Sequence, residues 1–147
     1  MRKIGTIPKE KKKCQAAFAS HPNTQQVWCY HHDLLCEELT GPAQTRIDCI
    51  LSSKPKGERA ARLRNFRPVK NISAVKAACD ARDAAVETAR AAYSAAVKPF
   101  LCAYAYAAAV KAAMDTYDAA VETAQNSLQV LHQREWPDNT WNGTSIF

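Results

Sequence analysis

Cys29, His31, His32 and Cys36, with His21 a few residues upstream, form the chain's one metal-like cluster of side chains. Zinc accepts thiolate and imidazole alike, and on a helix Cys29, His32 and Cys36 would share a face. Yet Cys-x-His-His-x3-Cys is no standard ligand spacing, and no second paired cluster accompanies it. The expectation is no bound metal, with Cys29, His32 and Cys36 as weak candidates. The same stretch permits an acid–base drawing, His31-His32-Asp33 with Glu37 and Glu38, and Cys36 as a nucleophile. Without a nucleophile elbow, phosphate loop or paired-carboxylate motif, the expectation is a protein with no catalytic residues and no cofactor.

A second set of residues suggests binding rather than catalysis. Lys54, Lys56, Arg59, Arg62, Arg64, Arg67 and Lys70 place seven cations in seventeen residues, opposed by Glu58 alone. On a short helix Lys56, Arg59 and Arg62 would line one face toward phosphates, with Phe66 available for stacking. The competing expectation is a solvated helix whose arginines pair with the acidic stretch 33–38. Charge is unevenly spread along the whole chain: residues 1–73 hold 14 Lys/Arg against 6 Asp/Glu, and residues 74–130 hold 5 against 6. A basic half joined to a near-neutral rod implies an acidic partner, a protein surface or nucleic acid, for the first half only.

The elements that must carry these residues are mainly helical. Residues 1–13 read as a disordered basic arm, and 14–72 as a small basic helical domain. Within it a short helix through Cys14–Ala19 ends at His21-Pro22. Val27–His32 begins as a strand, and Asp33–Leu39 reads as a helical turn or two. Pro42 opens a helix that carries Ile47, Ile50 and Leu51, and Lys54–Gly57 turns into a basic helix over 58–66 that stops before Pro68.

Residues 74–89 (AVKAACDARDAAVETA) recur at 109–124 (AVKAAMDTYDAAVETA) with 13 of 16 positions identical. The underlying unit is shorter: Val75, Val86, Val97, Val110 and Val121 are spaced 11, 11, 13 and 11 apart. Eleven residues in three turns is about 3.67 per turn, so an apolar stripe stays nearly in line along the helix. Here the stripe is Val at the second position, Ala at the fifth, and Tyr or Leu at the ninth, which reads Arg82, Tyr93, Tyr104, Tyr117 and Leu128 along the array; it reads as core. The 13-residue step rotates the stripe by roughly 220° rather than about 20°, and it coincides with Pro99, which removes a helical donor. Residues 73–132 are therefore expected to form an Ala-rich helical hairpin broken near 98–99, with one kinked rod as the alternative because no Gly or Asn is there to make the turn, and residues 133–147 an irregular aromatic tail that folds back through Trp136, Trp141, Ile146 and Phe147.

Composition narrows the setting. Twenty-seven of the 147 residues are Ala, so any core is thin or completed by a partner, and a homo-oligomer assembled through the Ala-rich helices is expected. No apolar run is long enough to span a membrane. The cysteines at 14, 29, 36, 49, 79 and 102 form no compact disulfide framework, and reduced thiols in a cytoplasm are the reading. The stretch HHDLLCEELTGPAQTRIDCILSSKPKGERAARLRNFRPV, the Ala/Tyr repeats and the terminal WNGTSIF resemble a group of short uncharacterised bacterial and phage proteins. That resemblance spans roughly residues 28–69 and the tail. It implies a phage or mobile-element origin, hence a host cytoplasm, and no particular activity. The expected function is a non-enzymatic interaction protein. The alternatives are an assembly component of a phage or mobile element, an inhibitor of a host defence complex, and a small metal or thiol enzyme centred on residues 29–38.

Overall fold

The computed structural model describes residues 4–31, 34–97 and 103–141, and the fold is mainly α. In chain order the elements are α1 (Ile7–Ser20), β1 (Gln26–His31), β2 (Leu34–Glu38), α2 (Ala43–Ser53), α3 (Lys56–Asn65), β3 (Arg67–Pro68), α4 (Ile72–Val97) and α5 (Ala103–Glu135). They fall into two compact units, residues 1–72 with 128–147, and residues 73–127.

In the first unit α1 overturns the expected disordered arm. Pro8 sits in the first turn, where a missing N–H costs nothing, and Glu10, Cys14 and Ala17 recur along one buried face. The stretch looks like an arm because its inward-facing residue in the first turn is a glutamate. Gly5 donates its N–H to Glu10 Oε1, an approach that a Cβ on Gly5 would block. Residues 34–38, expected as a helical turn, instead form a strand. The antiparallel sheet has the order β2-β1-β3, with Val27 opposite Glu37 and Pro68, and Trp28 opposite Cys36 and Arg67. Leu-Leu-Cys-Glu-Glu lacks strict alternation, so its pairing with β1, and not its own pattern, makes it a strand. The small domain is thus mixed rather than all-helical.

Val27 and Cys29 on one face of β1 join Cys14, Ile47, Ile50, Leu63 and Phe66 in a core cluster. Phe18 and Phe66 pack with ring centroids 4.8 Å apart. Trp28, on the other face, stacks on His132 of α5 at 4.9 Å. Chain that the repeat assigned to the hairpin, from Leu128 onward, therefore belongs to the first unit, because Leu128 and His132 bury their side chains there. The tail folds back as expected over residues 136–141: Trp141 is buried, Trp136 Nε1 donates to Pro68 O at 2.9 Å, and Asn65 and Thr140 exchange two hydrogen bonds. Residues 142–147 lie outside the described residues.

In the second unit α4 and α5 run side by side and antiparallel. Tyr93 and Ser94 of α4 face Ala113 and Met114 of α5 across one groove, and Ala78 and Arg82 face Ala124 and Ser127 across another. Position numbers on facing residues rise on one helix as they fall on the other. The 35-residue offset of the repeat maps this pairing onto itself, so the hairpin has pseudo-two-fold symmetry. Ala at the fifth repeat position is what the helices bury, at Ala89, Ala113 and Ala124, and this lets two backbones approach closely. The ninth position departs from expectation: Tyr93 and Tyr117 are each 37% exposed, since an Ala–Ala contact leaves no room between the helices for a ring. The expected break at Lys98-Pro99 lies outside the described residues.

Candidate functional site

The seven basic residues of 54–70 part company in the structure. Arg64 donates through Nη2 to Glu10 Oε1 at 2.8 Å, with its side chain 6% exposed. Arg67 donates through Nη1 to the Leu63 and Phe66 carbonyls and holds Nη2 3.9 Å from Glu10 Oε2. Both are core residues, and the expectation that they meet an acidic partner is corrected. Two guanidinium groups and one carboxylate leave water together in one cluster of opposite charges, in which Glu10 Oε2, Arg64 Nε and Arg67 Nη2 have no hydrogen-bond partner among the described residues. Burial alone would raise the pKa of Glu10, but the Arg64 hydrogen bond and charge, Lys13 and the Gly5 N–H outweigh it, and the carboxyl titrates below its ordinary range. Burial lowers Arg67 and pushes the Cys14 thiol up to about 11; Cys14 donates its S–H to Phe66 O.

The other five sort by what they touch. Arg62 grips Glu58 one turn away through Nε and Nη2. Arg59 donates to the Lys54 and Ser52 carbonyls at the end of α2, which favours a cation there. Lys70 donates to Glu135 O and lies 3.8 Å from the centroid of the Trp136 ring. Lys54 and Lys56 carry no ion pair among the described residues, and Lys56 is fully in the exposed class. Among the described residues the expected partnership of the arginines with 33–38 is not seen: Glu37 pairs with Arg46 at 2.7 Å, and Asp33 lies outside the described residues.

Three cations that motif reasoning missed join Lys54 and Lys56. Lys9, Lys11 and Lys12 lie on α1, which packs against α3; Lys9 and Lys12 are exposed, and none of the three has an ion pair among the described residues. Lys13 lies 3.6 Å from Asp138. The clue was the spacing of Ile7, Cys14 and Phe18, which leaves 9, 12 and 13 on the outer face once residues 7–13 are helical. By sequence the first unit holds 15 Lys/Arg against 8 Asp/Glu, and the second 5 against 6. No family model, curated protein or solved structure matches the chain.

The cysteine–histidine cluster does not assemble. Cys36 stands opposite Trp28 and donates its S–H to Gln26 Oε1, while Cys29 lies on the Val27 face within the core. The two sulfurs point to opposite sides of the sheet, because these residues are strand and not helix; His32 lies outside the described residues. Burial, with Glu37 nearby, raises the Cys29 pKa far above neutrality, so this thiol is not a ready nucleophile. Cys14, Cys29, Cys49 and Cys79 are free thiols. Among the described residues no group of three His, Cys, Asp or Glu side chains is arranged to hold a metal.

A histidine outside every motif is strongly perturbed. His132 is fully buried and neither ring nitrogen has a hydrogen-bond partner in the described structure. Burial, and then the Arg67 charge, outweigh the pull of Asp138 and bring its pKa down to about 3. Beside it Glu135 gathers three donors, Trp28 Nε1 at 2.6 Å, the Lys70 N–H at 3.0 Å and the Asn71 N–H at 2.7 Å. No helix of the described residues is long and apolar enough to cross a membrane.

Proposed function

We propose that the protein is a non-enzymatic interaction protein that binds a polyanion, nucleic acid first among them, through the lysines of its basic unit. The observation that carries this reading is the set Lys9, Lys11, Lys12, Lys54 and Lys56, which have no ion pair among the described residues, while Arg62 and Arg64 pair with Glu58 and Glu10, Arg67 is buried and Arg59 is held by two backbone carbonyls. Lysine is a mobile point charge, suited to holding phosphates and unsuited to reading base edges in a fixed geometry. Binding is therefore expected to be sequence-tolerant and dominated by counterion release. The Ala-rich hairpin, near neutral and poor in buried bulk, is the self-association half of this reading, and the chain acts in a cytoplasm.

The test is the affinity for short duplex DNA and RNA as salt is raised. Neutralising four or five phosphates gives a log–log slope near −4, a loss of several-hundredfold between about 50 and 200 mM salt. A parent protein that binds neither duplex at the lower salt would displace this reading in favour of an assembly component without a nucleic-acid role.

A further inference from the structure

Seven large apolar side chains stand exposed among the described residues, and four of them, Tyr93, Tyr106, Met114 and Tyr117, are on the hairpin. Three of the four converge on one groove of about 410 Å³ between α4 and α5, whose floor is Ala89 and Ala113. Met114 is 56% exposed there, although burying its apolar side chain is favourable. A two-helix layer that buries chiefly alanine cannot make a thick core, and the usual solution is a second layer.

We infer that this groove is the contact face for a second copy of the chain, two hairpins stacking as an antiparallel four-helix bundle about a two-fold axis parallel to the helices. The proposal rests on reading the hairpin as the self-association half, and it is independent of polyanion binding. Charge selects both the occupant and the axis. Arg90 and Asp118 line opposite walls of the groove at one level. Asp118 makes no ion pair among the described residues, and Arg90 is held only by Glu87 on its own helix, both side chains well exposed. A two-fold axis along the helices carries α4 over the partner's α5 without changing level, so each Arg90 meets the partner's Asp118. A two-fold axis lying across the helices at that level would set Arg90 against Arg90. In the favoured arrangement all neighbouring helices are antiparallel, as in up-and-down bundles. Tyr93, Met114 and Tyr117 of each copy then cover those of the other, and a closed isologous pair leaves no open end for fibre growth.

Sedimentation equilibrium of the full chain tests this. The parent is expected at twice 16.2 kDa at micromolar concentration. Met114→Glu changes an exposed side chain, so helicity by circular dichroism should hold while the dimer constant weakens by about tenfold or more. Arg90→Asp and Asp118→Arg should each weaken association, and the double variant R90D/D118R should restore it. That restoration is the signature of the stated axis, and it decides the matter even if Met114→Glu loses helicity. A dimeric parent unmoved by Met114→Glu and by the charge swap would overturn this groove and leave self-association standing. A monomeric parent would overturn both.

Discussion

The two units of the molecule treat charge in opposite ways. In the hairpin every ion pair among the described residues is local: Arg82 with Asp83, Arg90 with Glu87, Lys111 with Asp115, all within four positions. Both Lys111 and Asp115 stay largely in water. In the basic unit the decisive contacts are distant and buried: Glu10 with Arg64 across 54 positions, and Glu135 with Trp28 across 107. On a rod the neighbours of a side chain are its sequence neighbours, so spacing reveals its surroundings. In a mixed fold, density of arginine along the sequence says nothing about exposure.

Substitutions should separate the two regimes. Glu10→Ala strands two buried guanidinium groups and is expected to cost about 3–5 kcal/mol, read as a lower urea midpoint. Lys111→Ala, which removes an equally short ion pair from the hairpin surface, should leave the midpoint where it is. An unchanged midpoint for Glu10→Ala would erase the contrast between the units.

Acid should act on the basic unit through His132 and Glu10. His132 titrates near 6.5 when unfolded and at about 3 when folded, so below pH 6.5 the unfolded chain takes up a proton that the folded chain refuses. Stability then falls as pH drops, by about 2 kcal/mol between pH 7 and 5. Glu10, whose pKa is lowered by folding, contributes with the same sign in a lower window, beginning below its unfolded value of 4.5. Urea titrations of a His132→Phe variant should therefore lose the pH 7–5 slope and keep the one below. A parent slope retained in His132→Phe would assign the effect to another group. Glu135→Gln replaces one of the two acceptor oxygens by an amide donor, so at least one of the three donors loses its partner, and it should cost about 1–2 kcal/mol.

Legibility followed the same division. The eleven-residue spacing, the 13-residue step and the Ala ridge were enough for the antiparallel hairpin. The turn at Lys54–Gly57 and the stop before Pro68 were enough for α2 and α3. What stayed hidden has largely one cause. The inner face of α1 carries Glu10 where a hydrophobic residue would announce a helix, and the arginines that satisfy it are 54 and 57 positions away. That single buried cluster made residues 7–13 look like a disordered arm and made Arg64 and Arg67 look like surface cations. The strand at 34–38 is a second case, fixed by its register with Trp28 and Val27 and by no alternation of its own. His132 carried no signal at all, being one polar residue just past the last repeat unit.

Free lysines, and not the arginine run, are proposed to meet the polyanion. Comparing the salt dependence of duplex binding for the parent, a Lys9, Lys12, Lys54, Lys56→Gln variant and a Lys76, Lys111→Gln control tests it most directly. The fourfold variant should remain folded, bind more weakly at every salt concentration, and have a log–log slope flatter by about three to four; the hairpin control should match the parent. If the fourfold variant retains the parent's affinity and slope, the lysines of α1 and the α2–α3 turn are not the contact surface, and the account is wrong.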